Sequence, residues 1–408
     1  MDCPLYLLKA RRMAEDAPDM QLALAQLHGT AERPRCLCVR GGVEMYIAAI
    51  GHAERWVLKR MPGTGSQHHP SCKSYEPDLT DSGLGEMIGD AVVETDDAMT
   101  EIFVNFSLKK GLPRATVPLE TTPTLEVKAS KRKMSLQAVM HFLFDRAGFN
   151  RWSPAMEGKR SQAVLHKYLM EVADNTMLKG APLSTCLVVP EQFSEQRKTQ
   201  IAERRRSRLT ALRAGPGDST TGMAIALGEF KCAEPAIHGR RIVLKHMADM
   251  PLFADDTTWQ KVERAFAPSF LMKEADPAAG FRLIICALIY PKTESAYVIH
   301  AASVMATTAT WLPVDNAHEA QLVHHLVATR RHFIRPLRYD SRRPARFATA
   351  LLLDAGARPV PLHAISTFAS ESEKADKSEQ LHVTPNAWVW HSEQPMPPLP
   401  PRVAVRRS

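Results

Sequence analysis

The residues best equipped for chemistry lie near the start of the chain. "RPRCLCVRGG" carries Cys36 and Cys38 one residue apart, and "QHHPSCKSYEP" adds His68, His69 and Cys72. Side chains at i and i+2 share a face of a strand, so both thiols of the first pair reach one ion from a strand or a tight knuckle. Pro70 forces a turn that lets a histidine and Cys72 converge. Three sulfurs and one imidazole are the ligand set of a closed tetrahedral structural zinc site. Thiolates select zinc over magnesium or calcium. His68 is preferred to His69, because the extra residue leaves slack around Pro70. Two other readings of the same residues stay open, as ordinary cytosolic thiols or as a redox group. If an ion binds, the closed set leaves no coordination position for a substrate. The cluster then points to structure, and the search for function moves to the basic residues.

Two arginine concentrations stand out. "AERRRSRLTALR" carries Arg204, Arg205, Arg206, Arg208 and Arg213 on an expected helix. "RRHFIRPLRYDSRRPAR" carries Arg330, Arg331, Arg335, Arg338, Arg342, Arg343 and Arg346, with Phe333 and Tyr339 interleaved. Guanidinium groups fork onto phosphates, and aromatic rings stack on bases. The second set is therefore the candidate nucleic-acid surface, and local ion pairing is the competing account of both. The net charge of +8 and the pI near 9.1 fit an anionic partner without requiring one. The expected partner is nucleic acid, DNA before RNA, or a nucleoprotein complex. A protein–protein adaptor role for the same basic surface is the alternative.

Catalytic motifs are few. There is no G-x-x-x-x-G-K-[ST] loop, no H-E-x-x-H and no G-x-S-x-G. A basic helix followed by "RPLRYDSRRPARFATALLLDAGARPVPLHAI" resembles the core of PD-(D/E)xK nucleases, where strand carboxylates hold magnesium. The sequence departs where it matters: Ala345 follows Pro344, "LHAI" has neither acid nor lysine, and Asp354 stands alone. The expectation is a degenerate restriction-endonuclease-like domain that binds without cutting, with an active nuclease as the rival.

The elements that must position these groups follow from pattern. The fold class expected is α+β and multidomain. Residues 1–127 read as a β-rich, zinc-stapled domain, with strands around the Gly41–Gly42 turn. Residues 134–222 read as helical, with Ser135 as a cap, a helix ending at Gly148, an apolar face of Val164, Leu165, Tyr168, Leu169 and Val172, and a charged helix from Ser194 to Gly215. Residues 223–394 alternate strands with helices, and Trp152, Trp311, Trp388 and Trp390 read as core anchors. The tail, 395–408, is Pro-rich and basic and is expected to be extended and disordered. Seven irregularly spaced cysteines do not make a secreted disulfide framework. The first apolar run is too short for a signal peptide, and the apolar runs at 283–290 and 348–355 fall far below a bilayer span. The expectation is a cytoplasmic protein with no membrane contact.

"CLCVRGGVEMYIA", "WVLKRMPGTGSQHHPSC" and "SYEP" with "SGLGE" resemble the N-terminal signature of a bacterial family, domain-of-unknown-function family 1173. "AGFNRWSPAMEGKR", "TWLPV" and "RHFIRPLRYD" are similar to it as well. The resemblance implies that Cys36, Cys38 and Cys72 belong together. It also implies a setting on plasmids and integrative conjugative elements, with no established activity. The C-x-C half alone is similar to a SWIM-type finger; the second half departs from it, because here the histidine precedes the cysteine.

Overall fold

The computed structural model describes residues 4–50, 55–94, 99–111, 131–210, 212, 220–293 and 296–403. The expected turns at 51–53 and 96–97, most of the expected linker at 118–133, and Arg213 lie outside the described residues.

Strands β1 (Leu5–Leu8), β2 (Arg11–Ala14), β3 (Arg35–Cys36), β4 (Val43–Ile50) and β5 (Arg55–Arg60) form an antiparallel sheet in the order β2-β1-β3-β4-β5. Alternation sends Tyr6, Leu8, Met13, Val43 and Met45 to the buried face. Helix α1 (Met20–Leu27) covers that face with Met20, Leu24 and Leu27, spaced at i, i+4 and i+7. The β-rich reading did not include this helix, because eight residues give the period little room to appear. The Gly41–Gly42 turn is as expected. Both residues have positive φ, 88° and 70°, where a side chain would be strained.

The helical middle contains α2 (Leu136–Arg146), α3 (Gln162–Asp174) and α4 (Lys198–Thr210), with the two-residue strand β6 (Arg151–Trp152) between the first two. Ser135 caps α2 by accepting from the Ala138 N–H at 3.2 Å. On α3 the buried residues are Gln162, Leu165, Leu169, Met170 and Ala173, while Tyr168 is exposed, so the expected face is rotated by part of a turn. Helix α2 is buried nearly all round, Leu136 to Phe144, and a helix apolar on every side needs partners on every side. Its core joins Leu84, Leu169, Ile284 and Tyr339, residues from all three expected segments. This core therefore spans the expected divisions at 127, 134 and 222, while the N-terminal sheet keeps a smaller core of its own.

Strands β7 (Ala224–Ala236), β8 (Gly239–Leu244), β9 (Leu252–Ala254), β10 (Arg282–Pro291) and β11 (Tyr297–Thr307) pair in a closed circuit, β7-β8-β9-β11-β10 and back to β7. Ile284, Cys286 and Leu288 of β10 face the core of α2, and Leu283, Ile285, Ala287 and Ile289 face a second core. Burial on both faces explains the unbroken apolar run at 283–290. The helix expected from Asp256 is two helices, α5 (Asp256–Ala265) and α6 (Ala267–Ala275), because Pro268 has no N–H to continue the ladder.

The last unit runs α7 (Ala317–Ala328), β12 (Phe333–Ile334), β13 (Ala350–Leu352), β14 (Val360–Ile365), α8 (Glu371–Val383) and β15 (Trp388–His391). Its sheet has the order β15-β14-β13-β12-β6, with β12, β13 and β14 antiparallel and β15 returning parallel to β14 through α8. Trp152, Trp311 and Trp390 are buried, as expected of anchors. The tail departs from expectation over 395–403, where it is extended but seated. The Trp388 indole N–H donates to the Pro398 carbonyl at 3.0 Å, and Val403 N–H donates to the Asp354 carbonyl at 3.0 Å. Prolines lack N–H groups but keep carbonyls, so a Pro-rich segment docks as an acceptor strip. Among the described residues, no helix is long and apolar enough to cross a membrane.

Candidate metal centre and the arginine cleft

Cys36 ends β3 and Cys38 lies in the turn before Gly41, so the pair is held by a knuckle rather than by a regular strand. The second half comes from a short loop. Gly65 opens it, its carbonyl accepting from Glu76 N–H at 3.1 Å, and a Cβ there would lie 2.6 Å from the Glu76 Cβ. The close approach ties 65 to 76 and turns His68 and Cys72 inward. His68 is 2% exposed.

The four ligand atoms of Cys36, Cys38, His68 and Cys72 lie within 4.8 Å of one another. Cys36 Sγ and Cys72 Sγ are 3.7 Å apart, and His68 Nδ1 is 3.3 Å from Cys38 Sγ and 3.8 Å from Cys72 Sγ. A tetrahedral ion with bonds of ~2.3 Å to sulfur and ~2.0–2.1 Å to nitrogen requires edges of about 3.5–3.8 Å. The residues fit. Backbone N–H groups of His69 and Ser74 point at Cys38 and Cys72 sulfurs at 3.4 Å, an arrangement that favours thiolate. Crowding separates the thiols electrostatically. Hydrogen bonding to Cys38 and Cys72, with burial, pushes Cys36 up, while hydrogen bonds from Cys36 and Cys38 pull Cys72 well below the usual thiol range. A shared cation is what would let all three ionise together.

His69 is not in the set. Its Nδ1 accepts from the Ser71 N–H at 3.2 Å and lies 2.8 Å from the Ser71 hydroxyl, capping the turn. Two adjacent residues in this extended and turning chain point to opposite sides, so only one histidine can face the thiols.

A family model described as "Protein of unknown function (DUF1173)" matches residues 6–393. The chain belongs to the DUF1173 family. No curated protein and no solved structure matches it. In this DUF1173 chain the metal-centre loop is joined to the C-terminal sheet. Tyr75 packs with Ile334 and Leu353, Cys72 touches that cluster, and Arg151 donates to the Tyr75 carbonyl.

The seven arginines of 330–346 do not form one surface. Arg331 is buried and forks onto Asp354 with contacts of 2.8–3.0 Å. Arg335, 2% exposed, donates to the Pro313 carbonyl at 3.0 Å, to the Thr349 carbonyl, and to Glu319 at 2.8 Å. Arg338 completes that network with Glu319 and Asp315, both at 2.8 Å. Burial alone would raise Glu319, but Arg335 and Arg338 outweigh it and hold it well below the usual carboxylate range. Arg330 pairs with Glu157 at 2.8 Å, on the outside. Arg343 and Arg346 reach Asp376 and Glu379 on α8. Arg342 is exposed and has no ion pair among the described residues. In the first cluster Arg204 pairs with Glu191 and Arg205 is buried against Asp249, as expected of local ion pairing.

Arg342, Arg343 and Arg346 do share a place. They line a cleft of about 1050 Å³ between the metal-centre loop and the C-terminal sheet, together with Arg132 and Arg358. His68, Pro70 and Tyr75 border it from the metal side. Asp78, Asp81 and Glu86 also line it, on a segment docked through Gly83, whose N–H donates to the Leu337 carbonyl at 2.9 Å; Glu86 pairs with Arg132 at 2.6 Å and accepts from the Ser341 hydroxyl at 2.6 Å. A Cβ at Gly83 would lie 2.1 Å from the Arg338 carbonyl oxygen, so only glycine permits this contact. Sequence reasoning missed Arg132, Arg358 and these acids. Arg132 stands in the basic run at 128–133, Arg358 and the acids lie far from it in sequence, and only the fold gathers them. It missed Lys377 as well. This lysine of α8 is buried, and donates to the Phe347 carbonyl at 2.8 Å beside His363 Nδ1 at 3.0 Å. Burial drops Lys377 to about 8 and, with the Lys377 charge, His363 to about 3.

Proposed function

We propose that this chain is a zinc-stapled, non-catalytic nucleic-acid-binding protein, with DNA as the first candidate partner, on its own or in a nucleoprotein complex. The carrying observation is the cleft beside the metal centre, lined by five arginines, of which Arg342 and Arg358 are exposed and form no salt bridge among the described residues, Arg342 lying near enough to Glu86 to help hold its carboxyl below the usual carboxylate range. Zinc is the ion that three thiolates and one neutral imidazole favour. Its part is to hold the 65–76 loop as one border of the cleft, with no open position for chemistry. The family resemblance adds the setting of a mobile genetic element, and a cytoplasmic location is the one in which free thiolates persist as ligands.

The test is fluorescence anisotropy with labelled DNA across a salt series. Arg342→Ala with Arg358→Ala should weaken binding and lower the slope of log K against log salt by about 1 for each arginine. No binding at about 50 mM salt would sink the reading.

A nuclease is the second reading, favoured by one observation. The order α7, β12, β13, β14, α8, β15 is a helix, three antiparallel strands, a helix and a parallel strand, the order of a restriction-endonuclease-like core. Against cutting, β14 carries no carboxylate and the Asp354 carboxylate is taken by Arg331. Magnesium-dependent nicking of supercoiled DNA by the purified protein would decide for the enzyme.

A further inference from the structure

The cleft beside the metal centre is bipolar. The 342–358 segment lines it with Arg342, Arg343, Arg346 and Arg358, and the 78–81 segment lines it with Asp78 and Asp81. A duplex carries phosphates on both outer edges, so in any orientation it would set phosphates against those carboxylates. A single strand has phosphates along one edge and base edges along the other. The base edges of cytosine, adenine and guanine carry amino donors, which carboxylates accept. A concave space of about 1050 Å³ also encloses groups rather than offering a face for a duplex to lie on.

The rest of the lining suits bases. Phe347 is half-buried, Leu79 is 46% exposed, and the part-buried Pro359 and Pro361 add apolar surface. At the metal end the cleft is bordered by His68. Its Nδ1 faces the thiols, and its buried Nε2 has no hydrogen-bond partner among the described residues. Asp81 is pushed up to about 6 by burial and by Asp78, so its ionised form gains from a donor brought by a ligand.

We infer that the cleft takes a single-stranded nucleic-acid segment, with phosphates on the arginines of 342–358 and base edges toward Asp78 and Asp81. This rests on the nucleic-acid reading above and adds strand form and orientation. The experiment measures anisotropy of the full chain with four probes of equal length: single-stranded DNA of mixed sequence, the same sequence as RNA, its DNA duplex, and an abasic strand. The base-bearing single strands should bind about tenfold more tightly than the duplex and the abasic strand. The RNA and DNA arms identify which strand is preferred. Asp78→Ala with Asp81→Ala, checked for an intact melting transition, should bring the base-bearing and abasic strands within about threefold of each other. Equal binding of abasic and base-bearing strands, or tighter binding of duplex, overturns the inference while leaving the arginine reading standing. A double variant that binds every probe more tightly by one factor overturns it too, since the carboxylates then only repel. If no probe binds, both readings fall.

Discussion

Arginines of one sequence cluster divide between two jobs, and burial decides which. Arg335 is enclosed with Glu319, so removing it strands a buried carboxylate. Arg335→Ala should cost about 3–5 kcal/mol, read as a lower urea midpoint. Arg342→Ala should stay within about 0.5 kcal/mol of wild type, because the side chain is exposed and unpaired among the described residues. Equal losses in the two variants would contradict this division. Asp81 gives a pH signature. Its folded value of about 6 lies above the ordinary 3.8, so the folded state holds this proton more tightly. The contribution is therefore full below about pH 4 and is lost as pH rises through about 6. Asp81→Asn should raise the melting temperature at pH 7.5 and leave it unchanged near pH 3.5. A variant less stable at pH 7.5 would show instead that the ionised carboxylate is structural.

At the scale of elements, α8 is the informative case. It is polar along its length, with Lys377 its one buried residue, and it is started by a capping box in which Ser370 and Glu373 bond reciprocally. It is docked by polar contacts rather than by an apolar stripe. Lys377 reaches the Phe347 carbonyl, while Asp376 and Glu379 hold Arg343 and Arg346. Lys377→Ala should therefore destabilise the chain by about 1.5–3 kcal/mol and increase hydrogen exchange along 371–383. Unchanged exchange there would show that the helix is held by something else. The same contacts make α8 the support of two arginines of the cleft. A helical reading of 371–383 from hydrophobic period fails because there is hardly any period to read. The capping sequence was the available signal.

At the scale of the molecule, the N-terminal sheet is built on a small core. Its core is Tyr6, Leu8, Met13, Met20, Leu24, Leu27, Cys36 and Met45, a small set for a unit of its length. Units of this size commonly need a staple, and the four-ligand cluster is placed to be one. Cys36→Ser should lower bound zinc from about one equivalent to below about a tenth, where metal binding is worth on the order of 10 kcal/mol. Limited proteolysis should then cut within 35–76 while the two larger cores stay protected. Stoichiometric metal in the variant, or less than about a tenth of an equivalent in wild type, would remove the staple.

Sequence by itself determined the thiol–imidazole set, the helix capped at Ser135, the strand pair at 282–307 and the tryptophan anchors. These are local or strongly periodic signals: a cap and its turn, an alternation, a run apolar on both faces, a cluster of soft ligands. Tertiary structure alone decided that Arg331 and Arg335 are buried, that the tail is docked over 395–403, and that Arg132, Arg358, Asp78 and Asp81 line one cleft. Each of those depends on which residue from a distant segment arrives nearby. A charged side chain looks the same in sequence whether a carboxylate or water will meet it. Its burial, its partner and its freedom to bind are set only when the sheets close around it.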